Sequence, residues 1–183
     1  MINNILTYYT GRLENFLENI FHQPEGIVKL SYINETDKED ILNKLVVTLI
    51  SVERETAAGI GGGGMRNASG GFNKGFPPVY VNLNVMFAAV YDPKRYADSL
   101  SVLSAVLLFI QANPLFNVGG KQKYTVEVMS LSAEELNNIW SCVGGHYYPS
   151  VVCKIKGVVF DAGEIRGTSG QAGKPSAETG KKN

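Results

Sequence analysis

The chain has 183 residues, 44% of them hydrophobic, and its 17 lysines and arginines balance 17 aspartates and glutamates. That length suits one domain with a sizeable core, and a net charge of zero offers no field to draw in nucleic acid or an anionic membrane surface. Two cysteines, Cys142 and Cys153, are too few for a disulfide framework and read as small buried hydrophobes in a reducing compartment.

The first 21 residues lack the basic start and small-residue cleavage site of a secretory signal. Instead Ile2, Ile5, Leu6, Tyr9, Leu13, Phe16, Leu17 and Ile20 share one helical stripe, opposite Asn3, Asn4, Arg12, Glu14 and Glu18. Ile27, Val28, Leu30, Tyr32 and Ile33 then read as a strand, residues 34–43 as a polar turn, and residues 45–53 as a stronger strand whose first half suits burial on both faces. Residues 56–78 carry many glycines, Gly61, Gly62, Gly63 and Gly64 among them, and little to bury. A flexible loop of this length is expected to be functional or disordered, because no core contact offsets the entropy of ordering it.

From Val79 the alternation is plain: Val79, Val81, Leu83, Val85, Phe87 and Ala89 face one way, Tyr80, Asn82, Asn84 and Met86 the other. Asp92 is placed to cap a helix with Pro93 at its first position, running to about Gln111 before Asn113-Pro114 stops it. Its second half is apolar almost all round, which predicts cover from the sheet and from another helix or a neighbouring subunit. Residues 100–110 are too few to span a membrane. Tyr124, Val126 and Val128 alternate with polar positions in a strand with one wet face. Ser132 and Glu135 form a capping box for a helix bearing Leu136, Ile139, Trp140 and Val143, which Gly144 and Gly145 end, and residues 151–160 make the last strand. Beyond Ala162 only Ile165 is a large aliphatic residue, so residues 162–183 read as a flexible tail on a domain of residues 1–161.

Chemistry is hard to place on this chain. Gly59-Ile60-Gly61-Gly62-Gly63-Gly64 fits a dinucleotide fingerprint in letters, yet no helix follows it to present amides to a phosphate. Cys142, His146 and Cys153 lack the paired spacing of a zinc site, so neither a metal nor a thiol nucleophile is expected. Glu53 with Glu55, at a strand end, and Glu134 with Glu135, in a helix's first turn, read as structural carboxylates. Asn82 and Asn84 share a face that is either a polar interface or a solvated sheet surface, and Trp140 reads as core. No catalytic residue and no cofactor follow from these patterns.

Four ordered blocks carry a resemblance. They are Pro77-Pro78-Val79-Tyr80-Val81-Asn82-Leu83-Asn84-Val85-Met86-Phe87; Phe109-Ile110-Gln111-Ala112-Asn113-Pro114-Leu115-Phe116; Leu131-Ser132-Ala133-Glu134-Glu135-Leu136-Asn137-Asn138-Ile139-Trp140; and Tyr148-Pro149-Ser150. At this spacing the chain resembles the cap proteins, or tail terminators, of phage-tail-like contractile injection systems such as the Photorhabdus virulence cassette and the antifeeding prophage. The resemblance implies a single α/β domain with a mixed β-sheet and packed helices. It also implies a non-enzymatic homohexameric ring on the distal end of the inner tube and sheath, which ends their polymerisation. Partners would be other copies, the inner tube protein, the sheath protein and a further cap component, with no nucleic acid or membrane. Such a ring assembles in the bacterial cytoplasm and then travels with the injection particle. Within that reading Leu107, Leu108 and Ile110 are candidates for the subunit interface, and Gly61, Gly62, Gly63, Gly64, Met65, Arg66, Ile165 and Arg166 for tube and sheath contact. The rival readings are a monomeric adaptor module and a small enzyme using the glycine loop as a substrate flap.

Overall fold

A computed structural model describes residues 1–22, 26–33, 38–56, 78–120, 122–143 and 146–161. Its helices are α1 (Ile2–Phe21), a single turn α2 (Lys38–Ile41), α3 (Tyr96–Ala112) and α4 (Ala133–Val143). Its strands are β1 (Val28–Leu30), β2 (Lys44–Arg54), β3 (Val79–Val90), β4 (Leu115–Asn117), β5 (Lys123–Val128) and β6 (Ser150–Phe160). They form one mixed sheet in the order β1-β2-β3-β6-β5-β4, parallel only between β1 and β2.

β3 lies inside the sheet, between β2 and β6, and its period of two sorts the whole core. Val81, Leu83, Val85, Phe87 and Ala89 enter the larger cluster, where α1 contributes Ile5, Tyr9, Leu13 and Leu17 and α3 contributes Val102, Val106, Phe109 and Ile110. Met86, Ala88 and Val90 point the other way into a smaller cluster with Val46, Val152, Ile41, Trp140 and Val143. α1 and α3 therefore cover one face of the sheet, and α4 covers part of the other. Trp140 is core, its ring meeting Tyr147 and Tyr148. The capping box forms as expected: Ser132 N and Oγ both donate to Glu135 Oε2, and Glu135 N donates to Ser132 Oγ at 3.2 Å. These bonds hold the Glu135 carboxyl below the usual range.

Several sequence expectations change. The polar segment before β2 contains the turn α2, and a short strand β4 follows α3, pairing with β5 where the sequence offers only three residues of signal. Asp92 caps a 3-10 turn at residues Pro93–Arg95, its side chain accepting from Lys94 N at 2.9 Å, and the α-helix starts only at Tyr96. Val128 is exposed because β5 ends beyond the cover of the core. Cys142 is exposed as well, lying off the α4 stripe that buries Trp140 and Val143. Cys153 is fully buried, and burial pushes its thiol up to about 12. Gly144, Gly145, the segment 57–77 and the tail from 162 lie outside the described residues.

Glu14 sits on the polar side of the α1 stripe but is structural. Its Oε1 accepts from Gly26 N at 2.7 Å and Ile27 N at 2.8 Å, and its Oε2 accepts from Val28 N at 3.2 Å. One carboxylate thus satisfies three consecutive amides at the entrance to β1, the strand that otherwise bonds only to β2. Glu14→Ala leaves those donors without a partner and is expected to lower unfolding free energy by about 2 kcal/mol. The shift in urea midpoint at constant slope measures it.

Candidate functional site

Two surfaces stand out on opposite sides of the sheet, one apolar and one polar. The first is the outer side of α3. Leu107 is 42% and Leu108 58% exposed, and Tyr96 and Leu100 continue the apolar surface toward the helix start. Ser101 and Ser104 turn their hydroxyls inward to the helix carbonyls of Ala97 and Leu100, which leaves little polar surface between the leucines. The only charged residue in α3 is Asp98, in its first turn. An exposed helix face with large aliphatic residues and almost no charge has the composition of a protein interface core. Ile110 is not part of it. One residue rotates a helix by about 100°, and Ile110 points into the core at 4% exposure alongside Phe109. The sequence reading of Ile110 as a surface contact is therefore corrected, while Leu107 and Leu108 stand on the surface.

The second surface occupies the end of the sheet that α4 leaves open. Two irregularities build it. Between Leu49 and Ser51 the β2 register slips against β3, so one residue is inserted and the following side chains change face. Ser51 and Glu53, which simple alternation would send to the α1 side, instead stand beside Asn84 and Asn82. On β6 the register against β3 slips again between Val81 and Leu83, with Gly157 at φ +89°. A Cβ there would lie 2.7 Å from the Lys123 carbonyl oxygen, so the backbone of β5 passes where a side chain would be.

The result is a hydrogen-bonded cluster across the strands. Asn82 Nδ2 donates to Glu55 Oε2 at 2.7 Å, and Asn84 Nδ2 donates to Ser51 Oγ at 2.9 Å and to the Glu53 carboxylate. Lys154 Nζ bonds Glu53 Oε2 at 2.8 Å, and Lys156 pairs with Glu127 at 2.6 Å. The Lys154 ammonium and the Asn84 amide together hold the Glu53 carboxyl below its ordinary range. Asn82 and Asn84 are each 6% exposed, so of the two alternatives drawn from the sequence the solvated sheet surface does not describe them. Among the described residues their carbonyl oxygens have no hydrogen-bond partner. Asn82, Glu53, Glu55, Glu127, Lys154 and Lys156 line an open cavity of about 440 Å³.

Sequence reasoning noted Glu53 with Glu55, and Asn82 with Asn84, as separate pairs. It missed Lys154 and Lys156 as their partners. Alternation of polar residues in the last strand was an available signal, but the two bulges that put all of them on one face carry no clear mark in the sequence. Cys142 and Cys153 are on different elements, one exposed and one buried. Among the described residues no group of three or more His, Cys, Asp or Glu side chains is arranged to hold a metal, and no helix is long and apolar enough to cross a membrane. Gly61, Gly62, Gly63, Gly64, Met65, Arg66, Ile165 and Arg166 fall outside the described residues.

Among solved structures the chain is similar to a sheath/tube terminator of an extracellular contractile injection system in its extended state. That match has a TM-score of 0.62 and 14% identity, over 99% of this chain and 64% of that one. It is also similar to the tube-terminating cap of the anti-feeding prophage, with a TM-score of 0.51 and 17% identity over 85% of this chain and 54% of that one. The chain thus spans less than two thirds of the length of either, and at these identities the likeness is one of fold. No curated protein matches. Residues 11–170 match the family described as the Pvc16 N-terminal domain, an interval that takes in every strand and all but the first turns of α1. With that much of its length matched, the chain belongs to the Pvc16 N-terminal domain family.

Proposed function

We propose that this protein is the terminator cap of a contractile injection system, ending growth of the inner tube and sheath by occupying their last layer. The observation that carries the reading is the family match over residues 11–170, joined to a fold shared with a sheath/tube terminator along 99% of this chain. A layer of tube or sheath offers one surface to the next layer. A protein complementary to that surface, and different on its other side, stops addition without any bond being made or broken. Six copies form the ring: a repeated heterologous contact closes on itself, and the uncharged outer face of α3 around Leu107 and Leu108 supplies that contact. The domain of residues 1–161 is the ring body. Residues 61–66, with Ile165 and Arg166, reach the tube and sheath, and the cap travels with the particle after assembly in the bacterial cytoplasm.

Removing the chain from cells that make the particles tests the reading. Electron micrographs are expected to show tubes of widely scattered length with open distal ends, where particles with the chain are uniform and closed. Closed ends and an unchanged length distribution would overturn it.

A further inference from the structure

We propose that two exposed tyrosines at the C-terminal end of α4, Tyr32 and Tyr147, receive the α3 leucines of the next copy of this chain and so form the second half of the ring contact. This rests on the ring reading above and supplies the half that it leaves open. A contact repeated by rotation joins two different patches of the surface, and the outer face of α3 is only one of them.

Among the described residues Tyr147, at 63%, and Tyr32, at 58%, are the most exposed aromatic side chains, and the fold brings both to one place. Tyr32 arrives from the segment after β1, its hydroxyl donating to the Cys142 carbonyl in the last turn of α4 at 3.5 Å. Tyr147 arrives from the segment before β6 and meets the Trp140 ring edge-on, with 5.8 Å between centroids. Trp140 is buried and also touches Tyr148 at 5.9 Å, so the exposed Tyr147 ring rests on a packed base. At these exposures the two tyrosines leave on the order of 250 Å² in water, about a third of what one partner gives to an interface of standard size. That is the share of the anchors, with their hydroxyl tips free to stay at a wet rim. Charge matches as well. Beyond its first turn α4 carries no charged residue, and the only charge in α3 is Asp98 in its own first turn, so neither surface brings an ion that the other would bury unpaired. The placement suits head-to-tail succession, since α3 packs on the larger core and α4 on the smaller one across the sheet. A rival apolar patch of Val52, Val79 and Phe160 stands at the sheet end on the α3 side, because Val52 pairs with Leu83 and Phe160 with Val79. A copy whose α3 already faces one neighbour cannot turn that patch to the neighbour on its other side.

A short bis-maleimide applied to intact particles tests the contact. Cys142 is exposed and Cys153 buried, so the chain offers one reactive thiol, and it lies on the tyrosine patch. Leu108→Cys adds a second on α3. Denaturing gels blotted for the chain are expected to show linked dimers and higher multimers of its mass, which the parent, with Cys142 alone, does not give. Cys142→Ser added to Leu108→Cys should abolish them. Multimers that persist there would mean that α3 meets α3, and a Leu108→Cys chain retained in particles but linking no more than the parent would mean that α3 meets another face; either result overturns the proposal. If particles do not take up Leu108→Cys, the pair Tyr32→Asp and Tyr147→Asp decides. The purified double variant should melt like the parent, and its particles should have the open ends and scattered lengths of those lacking the chain; closed, uniform particles would overturn the proposal. The cross-link reports contact between copies whether or not they end a tube. Its absence therefore leaves the terminator reading standing, and closed ends in particles lacking the chain would sink that reading while leaving a positive cross-link untouched.

Discussion

Phe87→Ala is expected to cost about 4 kcal/mol of stability, the largest effect of any single truncation in the core. Phe87 has no exposed surface and sits on β3 with Val47 of β2 on one side and Val151 of β6 on the other. Its ring meets Tyr9 of α1 edge-on at a centroid distance of 6.3 Å, and Tyr9 in turn touches Phe109 of α3 at 5.3 Å and Phe116 of β4 at 4.8 Å. The side chain therefore joins the sheet to an aromatic group that ties α1, α3 and the far edge strand together. Removing it deletes apolar burial and leaves a cavity whose walls, strands on both sides and two helices above, cannot collapse. Phe87→Leu keeps most of the volume and should lose only about 1 kcal/mol. Urea or thermal unfolding followed by circular dichroism compares the two. Equal losses would mean that volume at this position does not control the packing.

The paired substitution Leu107→Asp with Leu108→Asp is expected to do the opposite, leaving the fold intact and destroying assembly. Both leucines are about half exposed in the isolated chain, so their replacement should move the unfolding midpoint by no more than about 0.5 kcal/mol. In a ring, each contact would lose two buried leucines and gain two carboxylates in an apolar seam. At about 1.5–3 kcal/mol per leucine, each contact weakens by more than about 100-fold. The loss recurs at every interface. Particles from cells carrying the double variant should then match those lacking the chain, with open ends and scattered lengths, while the purified variant melts like the parent. Normally closed particles would move the ring contact to another face. Ile110→Asp is unsuited to this test, since Ile110 faces the core and its charge would unfold the domain whatever α3 contacts.

The legible parts of the sequence were those in which local pattern and burial agree. The α1 stripe, the β3 alternation from Val79 to Ala89 and the Ser132–Glu135 box each encode their own geometry within a few residues, and each has the placement its pattern implies. Leu107 and Leu108 were legible as apolar, but not which of their neighbours turns inward; α3 is so apolar that its sequence does not mark a core side, and Ile110 was misplaced for that reason. Glu14 looked like an ordinary solvated acid, because the amides it holds belong to a segment twelve residues and more downstream.

The polar cluster marks the boundary most clearly. Composition and periodicity by themselves determined a balanced α/β domain with Asn82 and Asn84 on the same side of one strand, since a period of two is a property of the strand alone. Only the tertiary structure decided what they meet. An extra residue in β2 and another at Gly157 in β6 shift the pairing by one, and a shift of one moves every later side chain to the other face of the sheet. Register belongs to two strands at once, and neither sequence alone contains it.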